Sequence, residues 1–366
     1  MNENLSISVI IAVYQRPDEL TELLQSLSSQ SDSDFEVVVV DDGSPEKLEN
    51  LIQDYKKLLN LKYFYKENSG PGKSRNYGME RASGNYFIFL DSDTIAPQNY
   101  IATVRKELTE NYVDAFGGPD AADESFSDLQ KAISFSMTSF LTTGGIRGGK
   151  KHVGKFQPRS FNMGISKAAF EETGGFGNLR IGEDPDLSMT LWEKGFETRL
   201  FSDAKVFHKR RTSLKKFGKQ VYQFGAARPI LNQRHPGSGK LTYWFPSLFL
   251  IIMTYSLISI FIPVWPMYFY LKINYGNQIL WLNFNNPIVF IWFVIETFFI
   301  VFIFFYFFSI FFLSTLRFTN LKVGFLSVIT TLIQFSCYGF GFLKSWILLN
   351  IFKMKPEKAF PSHFSN

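Results

Sequence analysis

The run Tyr86-Phe87-Ile88-Phe89-Leu90 is apolar throughout and stops abruptly at Asp91-Ser92-Asp93. An apolar run without alternation reads as a strand buried on both faces, and such strands belong to parallel sheets covered by helices. In open α/β sheets, ligands sit just beyond the carboxyl ends of the strands. Asp91 and Asp93 are two residues apart there, so in extended backbone their carboxylates share a side. Two like charges held together call for a compensating cation. A hard divalent ion with oxygen ligands, itself clamping phosphates, meets that need. A surface turn also favours Asp, Ser and Thr and explains the residues without chemistry.

The preceding stretch has the same grammar. Ser8–Val13 is a buried-type strand, followed by Pro17 at a helix start and the stripe Leu20, Leu23, Leu24, Leu27. Phe35–Val40 is a second strand, ending in Asp41-Asp42-Gly43-Ser44. Leu48–Leu59 reads as a helix, Lys62–Tyr65 as a strand, and Lys73–Ala82 as a helix after Gly70-Pro71-Gly72. Strands alternating with helices predict a doubly wound, mostly parallel sheet with helices on both faces. Both acidic clusters then fall at strand carboxyl ends. Gly70–Asn76 lacks Walker A spacing, so it is either an anion-facing helix start or a simple turn and cap.

The 366 residues allow about two domains. Lys and Arg outnumber Asp and Glu by 38 to 33, a net charge of +5, but His208–Lys240 is basic and the last third almost uncharged. One cysteine, Cys337, excludes an intrachain disulfide, a multi-cysteine zinc site and an iron–sulfur cluster. The N-terminus lacks the basic region and long apolar core of a secretory signal, which keeps the first domain in the cytoplasm.

The segments ISVIIAVYQRP, VVVVDDGS, GPGKSRNYGMERASGNYFIFLDSD, NMGISKAAFEETGGF and IGEDPDLSMTLWEKGF occur in that order. Together they resemble the inverting GT-A glycosyltransferases of family 2 over about the first 230 residues. The resemblance implies a Rossmann-like GT-A sheet. It implies that Asp42 hydrogen-bonds a nucleotide base, that Ala12 and Tyr14 line the same pocket, and that Asp91 contacts the sugar nucleotide. Arg75 matches the donor-side arginine, and Asp93 holds Mg²⁺ or Mn²⁺ against the diphosphate. Asp184, with Glu183 beside it, takes the role of the base that deprotonates an acceptor hydroxyl. As plain structure, Pro185 at the first helical position would make Asp184 a helix cap, which accounts for one acid of the three in Glu183-Asp184-Pro185-Asp186. His208 resembles a position near metal and diphosphate; a lone structural histidine is the alternative. Gln223–Arg228 stands where processive relatives carry QxxRW and lacks the Arg-Trp pair, which favours single addition over polymerisation. Thr142–His152 is glycine-rich and basic, consistent with a substrate-covering loop and equally with an inert one.

Trp244–Tyr270 and Val323–Leu343 carry no charge, and Ile288–Leu313 carries only Glu296. Each exceeds the roughly 20 apolar residues that cross a bilayer. The expected organisation is therefore a cytoplasmic catalytic domain over 1–240, about three transmembrane helices over 241–352 and a short basic tail over 353–366. Basic residues before the first segment place the domain on the cytoplasmic side of the inner membrane and point to anionic lipid rather than nucleic acid as partner. Three spans keep Arg317 and Lys322 inside but send Lys353, Lys355 and Lys358 outside. A re-entrant first segment, broken at Pro263 and Pro266, reverses both. Glu296 within the membrane is a candidate functional group or a packing contact.

The expected activity is inverting transfer of a sugar from a nucleotide-sugar donor, UDP before GDP, to a membrane-associated acceptor such as a polyprenyl-linked saccharide. A lipid phosphate acceptor, or a non-catalytic nucleotide-sugar-binding membrane protein, is the alternative. Paired carboxylates also serve glycoside hydrolases. A nucleotidyltransferase would need a glycine-rich loop after the first strand, which Val13–Pro17 does not supply.

Overall fold

The computed structural model describes residues 5–121, 126–143, 155–208, 213–261 and 287–365, at a few of them the backbone alone. Strands and helices alternate from the start: β1 (Ile7–Val13), α1 (Pro17–Ser28), β2 (Phe35–Asp41), α2 (Glu49–Tyr55), β3 (Asn60–Tyr65), α3 (Pro71–Met79) and β4 (Tyr86–Leu90). There follow β5 (Thr94–Ile95), α4 (Tyr100–Glu110), β6 (Ala115–Gly117), β7 (Asp120–Ala121), α5 (Asp128–Thr138), α6 (Phe140–Thr143), β8 (Asn162–Ser166), α7 (Lys167–Thr173), α8 (Glu183–Glu193), β9 (Thr198–Leu200), β10 (Val206–His208) and α9 (Leu214–Arg234).

Seven strands form one mixed sheet in the order β3-β2-β1-β4-β8-β6-β9. β3, β2, β1 and β4 run parallel, β8 is antiparallel to β4 and β6, and β9 runs parallel to β6. Alternation along the strands separates two cores. Val9, Ile11, Val37 and Val39 meet Leu20, Leu24, Ile101 and Val104 of α1 and α4 on one face. Ile10, Val38, Phe87 and Phe89 meet Met79, Ala169, Leu187 and Leu191 of α3, α7 and α8 on the other. This is the doubly wound α/β sheet of the GT-A expectation, with one difference: β8 enters antiparallel beside β4. A second sheet, β5-β10-β7, stands just past the Asp91–Asp93 turn.

The apolar third contributes α10 (Phe245–Phe261), α11 (Pro287–Phe318) and α12 (Leu321–Trp346), the last prolonged by a π turn to Ile351. Among the described residues two stretches, Phe293–Phe318 and Leu321–Ile351, are long and apolar enough to cross a membrane. The described part of the expected first span is shorter, and Pro263 and Pro266 lie outside the described residues.

α12 is bound to the α/β part along its length. Gly225 of α9 packs on the Tyr338 backbone, Gly341 packs on the Tyr222 carbonyl, and Thr330 Oγ1 donates to the Ala132 carbonyl of α5 at 3.2 Å. At its start, Lys322 Nζ lies 3.0 Å from Asp128 of α5. At its far end, Leu349 joins Leu179, Ile230 and Leu231 in a shared core. The chain terminus then returns to the same domain: Arg180 N donates to the His363 carbonyl and Ser365 N to the Asn178 carbonyl, both at 2.8 Å. Lys353, Lys355 and Lys358, which three spans would send to the opposite side, lie in the segment just before that return. The segment bearing them is tied back by backbone hydrogen bonds and by burial of Phe360 in that core.

Candidate active site

The parallel strands β1, β2 and β4 end at one edge of the sheet, and the acidic clusters collect there. Ala12 is half-buried near the end of β1, and Tyr14 just beyond is 44% exposed. Asp41 accepts from Ser44 N and Tyr63 Oη, each at 2.9 Å. Asp42 is buried and accepts from Lys66 Nζ at 2.8 Å and from Ser69 N and Gly70 N at 2.9 Å. Asp42 thereby shapes the loop entering α3, where Gly70 adopts φ +92°, a left-handed conformation natural to glycine.

Arg75, one turn into α3, is the hub of the next layer. It is buried; Nη2 binds Asp91 Oδ1 at 2.7 Å and Nη1 binds Glu183 Oε1 at 2.5 Å, with the guanidinium over the Phe176 ring. Burial opposes its charge, but Glu183, Asp91 and Asp184 outweigh that and hold it above the ordinary arginine range. The acids feel the reverse. Burial, reinforced by Asp184 against the pull of Arg75, pushes Glu183 up to about 7. Burial likewise raises Asp184, against the opposing influence of Arg75 and a hydrogen bond from Ser160. Asp184 Oδ1 is buried without a hydrogen-bond partner.

The local basis of Asp184's placement differs from the capping expectation. Gly182, at φ +86°, is the N-cap of α8, so Glu183, Asp184 and Pro185 occupy the first three helical positions. Neither Asp184 nor Pro185 holds the role read for it, because the left-handed turn of Gly182 starts the helix two residues earlier. Asp186, third acid of the cluster, faces elsewhere. It binds Arg234 Nη1 at 2.7 Å and His235 Nε2 at 2.9 Å, fastening α8 to the end of α9.

Asp93 accepts from Arg16 Nη1 at 3.0 Å. The register of β10 against β5 pairs His208 with Thr94, one residue from Asp93; the His208 side chain lies outside the described residues. Among the described residues no group of three or more His, Cys, Asp or Glu stands together as a metal site. A single carboxylate such as Asp93 suits an ion that takes one or two protein ligands and fills its shell with substrate phosphates and water, as Mg²⁺ does.

The fold therefore brings Arg75, Asp91 and Glu183 into one ion-paired cluster, with Asp184 close enough to feel the charge of Arg75. Asp42 sits at the start of the same helix α3, and Asp93 lies across the β4 turn. Three residues that sequence reasoning passed over complete it: Arg16, Lys66 and Ser160. Arg16 stood inside a quoted motif without a role. Lys66 and Ser160 carry no local pattern. Past Thr143, the glycine-rich segment lies outside the described residues up to residue 154. Asp184 also lines a cavity of about 570 Å³, walled by α6, α9 and the start of α10.

Residues 8–174 match glycosyl transferase family 2. An uncharacterized glycosyltransferase of Rickettsia bellii is 40% identical over 105 residues, covering 29% of this chain and 15% of that protein. The GalNAc(5)-diNAcBac-PP-undecaprenol beta-1,3-glucosyltransferase of Campylobacter jejuni is 26% identical over 211 residues, 55% of this chain and 63% of that protein. The crystal structure of S. aureus TarS 1-349 overlays with a TM-score of 0.46 at 21% identity, over 63% of this chain and 66% of that one. The chain spans only 15% to 17% of the length of the first curated relatives it matches.

Proposed function

We propose that the chain is an inverting glycosyltransferase that moves a sugar from a nucleotide-sugar donor, UDP before GDP, to a hydroxyl of a membrane-associated acceptor such as a polyprenyl-linked saccharide. The observation that carries this reading is Asp184: a half-buried residue of raised pKa whose Oδ1 is buried and unbonded, within the electrostatic reach of Arg75 and lining a largely apolar cavity. Asp184 Oδ1 takes the proton of the acceptor hydroxyl. The freed oxygen bonds the anomeric carbon as its bond to the diphosphate breaks, and configuration inverts. A raised pKa makes Asp184 a stronger base than an ordinary aspartate. Glu183 and Asp91 hold Arg75 in place beside it. Asp93, with His208, would hold Mg²⁺ or Mn²⁺, whose charge neutralises the departing diphosphate. Asp42, Ala12 and Tyr14 border the nucleotide's place at the ends of β1 and β2.

Membrane attachment belongs to the same proposal. α11 leaves Phe298, Phe304, Phe305 and Phe308 between 51% and 63% exposed, surface that hydrocarbon rather than water would cover. The basic segment before α10 sets the domain on the cytoplasmic face. A relative matching 55% of the chain is named for a PP-undecaprenol acceptor, which supports a lipid-linked one here.

Replacing Asp184 with Asn tests the reading. Transfer to a hydroxyl acceptor should fall by about 10²–10⁴-fold in kcat, while UDP binding, read by calorimetry, and thermal unfolding stay near wild type. Retained transfer with intact folding would remove Asp184 as base and leave an already ionised phosphate as the acceptor group.

A further inference from the structure

The cavity beside Asp184 has two chemistries. Its walls are mostly hydrocarbon: Phe140 and Leu141 of α6, Phe224 of α9, and Phe245 and Leu248 of α10. Among its polar groups is Arg228, from the middle of α9. The Arg228 guanidinium stands 4.7 Å over the Tyr243 ring, and its Nη1 is buried without a hydrogen-bond partner. A buried guanidinium N–H left unbonded is costly, the more so on a charged group, so a cation kept there awaits an anionic oxygen. Arginine's planar fork suits phosphate.

The cavity's outer rim is also apolar and open. Leu241, Phe245 and Leu248 are 90%, 41% and 52% exposed where the chain enters α10 and the apolar third. A long hydrocarbon chain laid in this cavity would therefore continue onto a surface already apolar. A free anion needs none of these walls, and a neutral lipid leaves Arg228 unmatched. The donor's diphosphate is called for elsewhere, by Asp93 and the end of β4.

We propose that this cavity binds the acceptor's carrier, a phosphate ester on a long apolar chain, with the phosphate on Arg228, the chain along α6, α9 and α10, and the sugar acceptor hydroxyl toward Asp184. The assignment deepens the transferase reading and rests on it for the role of Asp184. Arg228 is a binding and specificity residue; it moves no proton.

The test uses the full-length protein in nanodiscs and three probes: farnesyl phosphate, farnesol and inorganic phosphate. Wild type should bind farnesyl phosphate saturably, with farnesol and inorganic phosphate each at least about tenfold weaker. Arg228→Gln should lose at least about tenfold for farnesyl phosphate and nothing for farnesol, with Arg228→Lys recovering part of the loss. Leu248→Gln should weaken both farnesyl probes and spare inorganic phosphate. Equal binding of farnesyl phosphate by wild type and Arg228→Gln would overturn the assignment, as would inorganic phosphate binding as tightly as farnesyl phosphate. UDP binding with Mn²⁺ on the same samples separates the two claims. UDP bound without farnesyl phosphate ends the lipid site alone; farnesyl phosphate bound without UDP ends the transferase reading on which Asp184's role depends.

Discussion

The two halves of the site treat charge in opposite ways. Toward the proposed donor place, three acids have basic partners from the protein: Asp42 has Lys66, Asp91 has Arg75 and Asp93 has Arg16. Toward the acceptor, Asp184 Oδ1 and Arg228 Nη1 are buried and unbonded. Paired charges hold their positions before any substrate arrives, so the donor half is organised in advance, at the cost of desolvating both members of each pair. Unpaired buried groups destabilise the empty fold and gain most when a ligand satisfies them. On the proposed reading, the contrast places rigidity at the nucleotide end and ligand dependence at the acceptor end.

The sharpest way to break this contrast is to remove the hub of the paired half. Arg75→Met leaves Glu183 and Asp91 without their shared cation, and breaking a buried pair from one side costs about 3–5 kcal/mol. Chemical unfolding should show that loss, and a change under about 1 kcal/mol would mean the cluster is solvated and the contrast is wrong. A smaller effect is expected where the acceptor half leans on α12. A methyl group on Gly225 would meet the Tyr338 carbonyl, so Gly225→Ala should destabilise by about 1–3 kcal/mol and weaken acceptor use more than UDP binding. Equal loss of both would remove the distinction between the halves.

The smallest effect is on pH, and it has opposite signs for stability and rate. The folded pKa of Glu183, about 7, stands above the ordinary glutamate value. Its contribution to stability is complete below that ordinary value and is lost as pH rises through about 7. Glu183→Gln should flatten that part of the stability profile. Asp184 is raised as well, and as the proposed base it would work only when deprotonated. Turnover should therefore fall as pH drops through a midpoint above the usual aspartate range. A rate that climbs on acidification across that range would contradict the assignment.

Two apolar helices show where sequence reading stops. α11 and α12 both meet the length and hydropathy of a membrane span. α11 exposes large side chains on most of its surface. α12 exposes one stripe, with Leu321, Phe325, Ile329, Phe340, Ile347 and Ile351 in it, and buries Gly324, Ser327, Thr330, Thr331, Gly339 and Gly341. Gly341 lets α9, Gly339 lets α10 and Gly324 lets α11 approach α12 closely, as small residues do wherever helices meet. Both properties are written in the sequence, but hydropathy averages over the helix and loses the face. The strands and the leucine stripe of α1 were legible because their periods are local. The sequence pointed to the strand-end acids and to the acids opening α8. It left out the start of α8 at Gly182, which depends on a single backbone conformation, and the return of the C-terminus to Asn178 and Arg180.

By itself the sequence determined the alternating α/β order, the sheet edge at which acids gather and the long apolar segments of the last third, because each follows from spacing over a few residues. Only the tertiary structure decided which acid is neutralised and which is left open. Arg16 reaches Asp93 across 77 positions and Arg75 reaches Glu183 across 108. No periodicity carries over such distances, so the partner of a buried charge is set by how the sheet and helices pack.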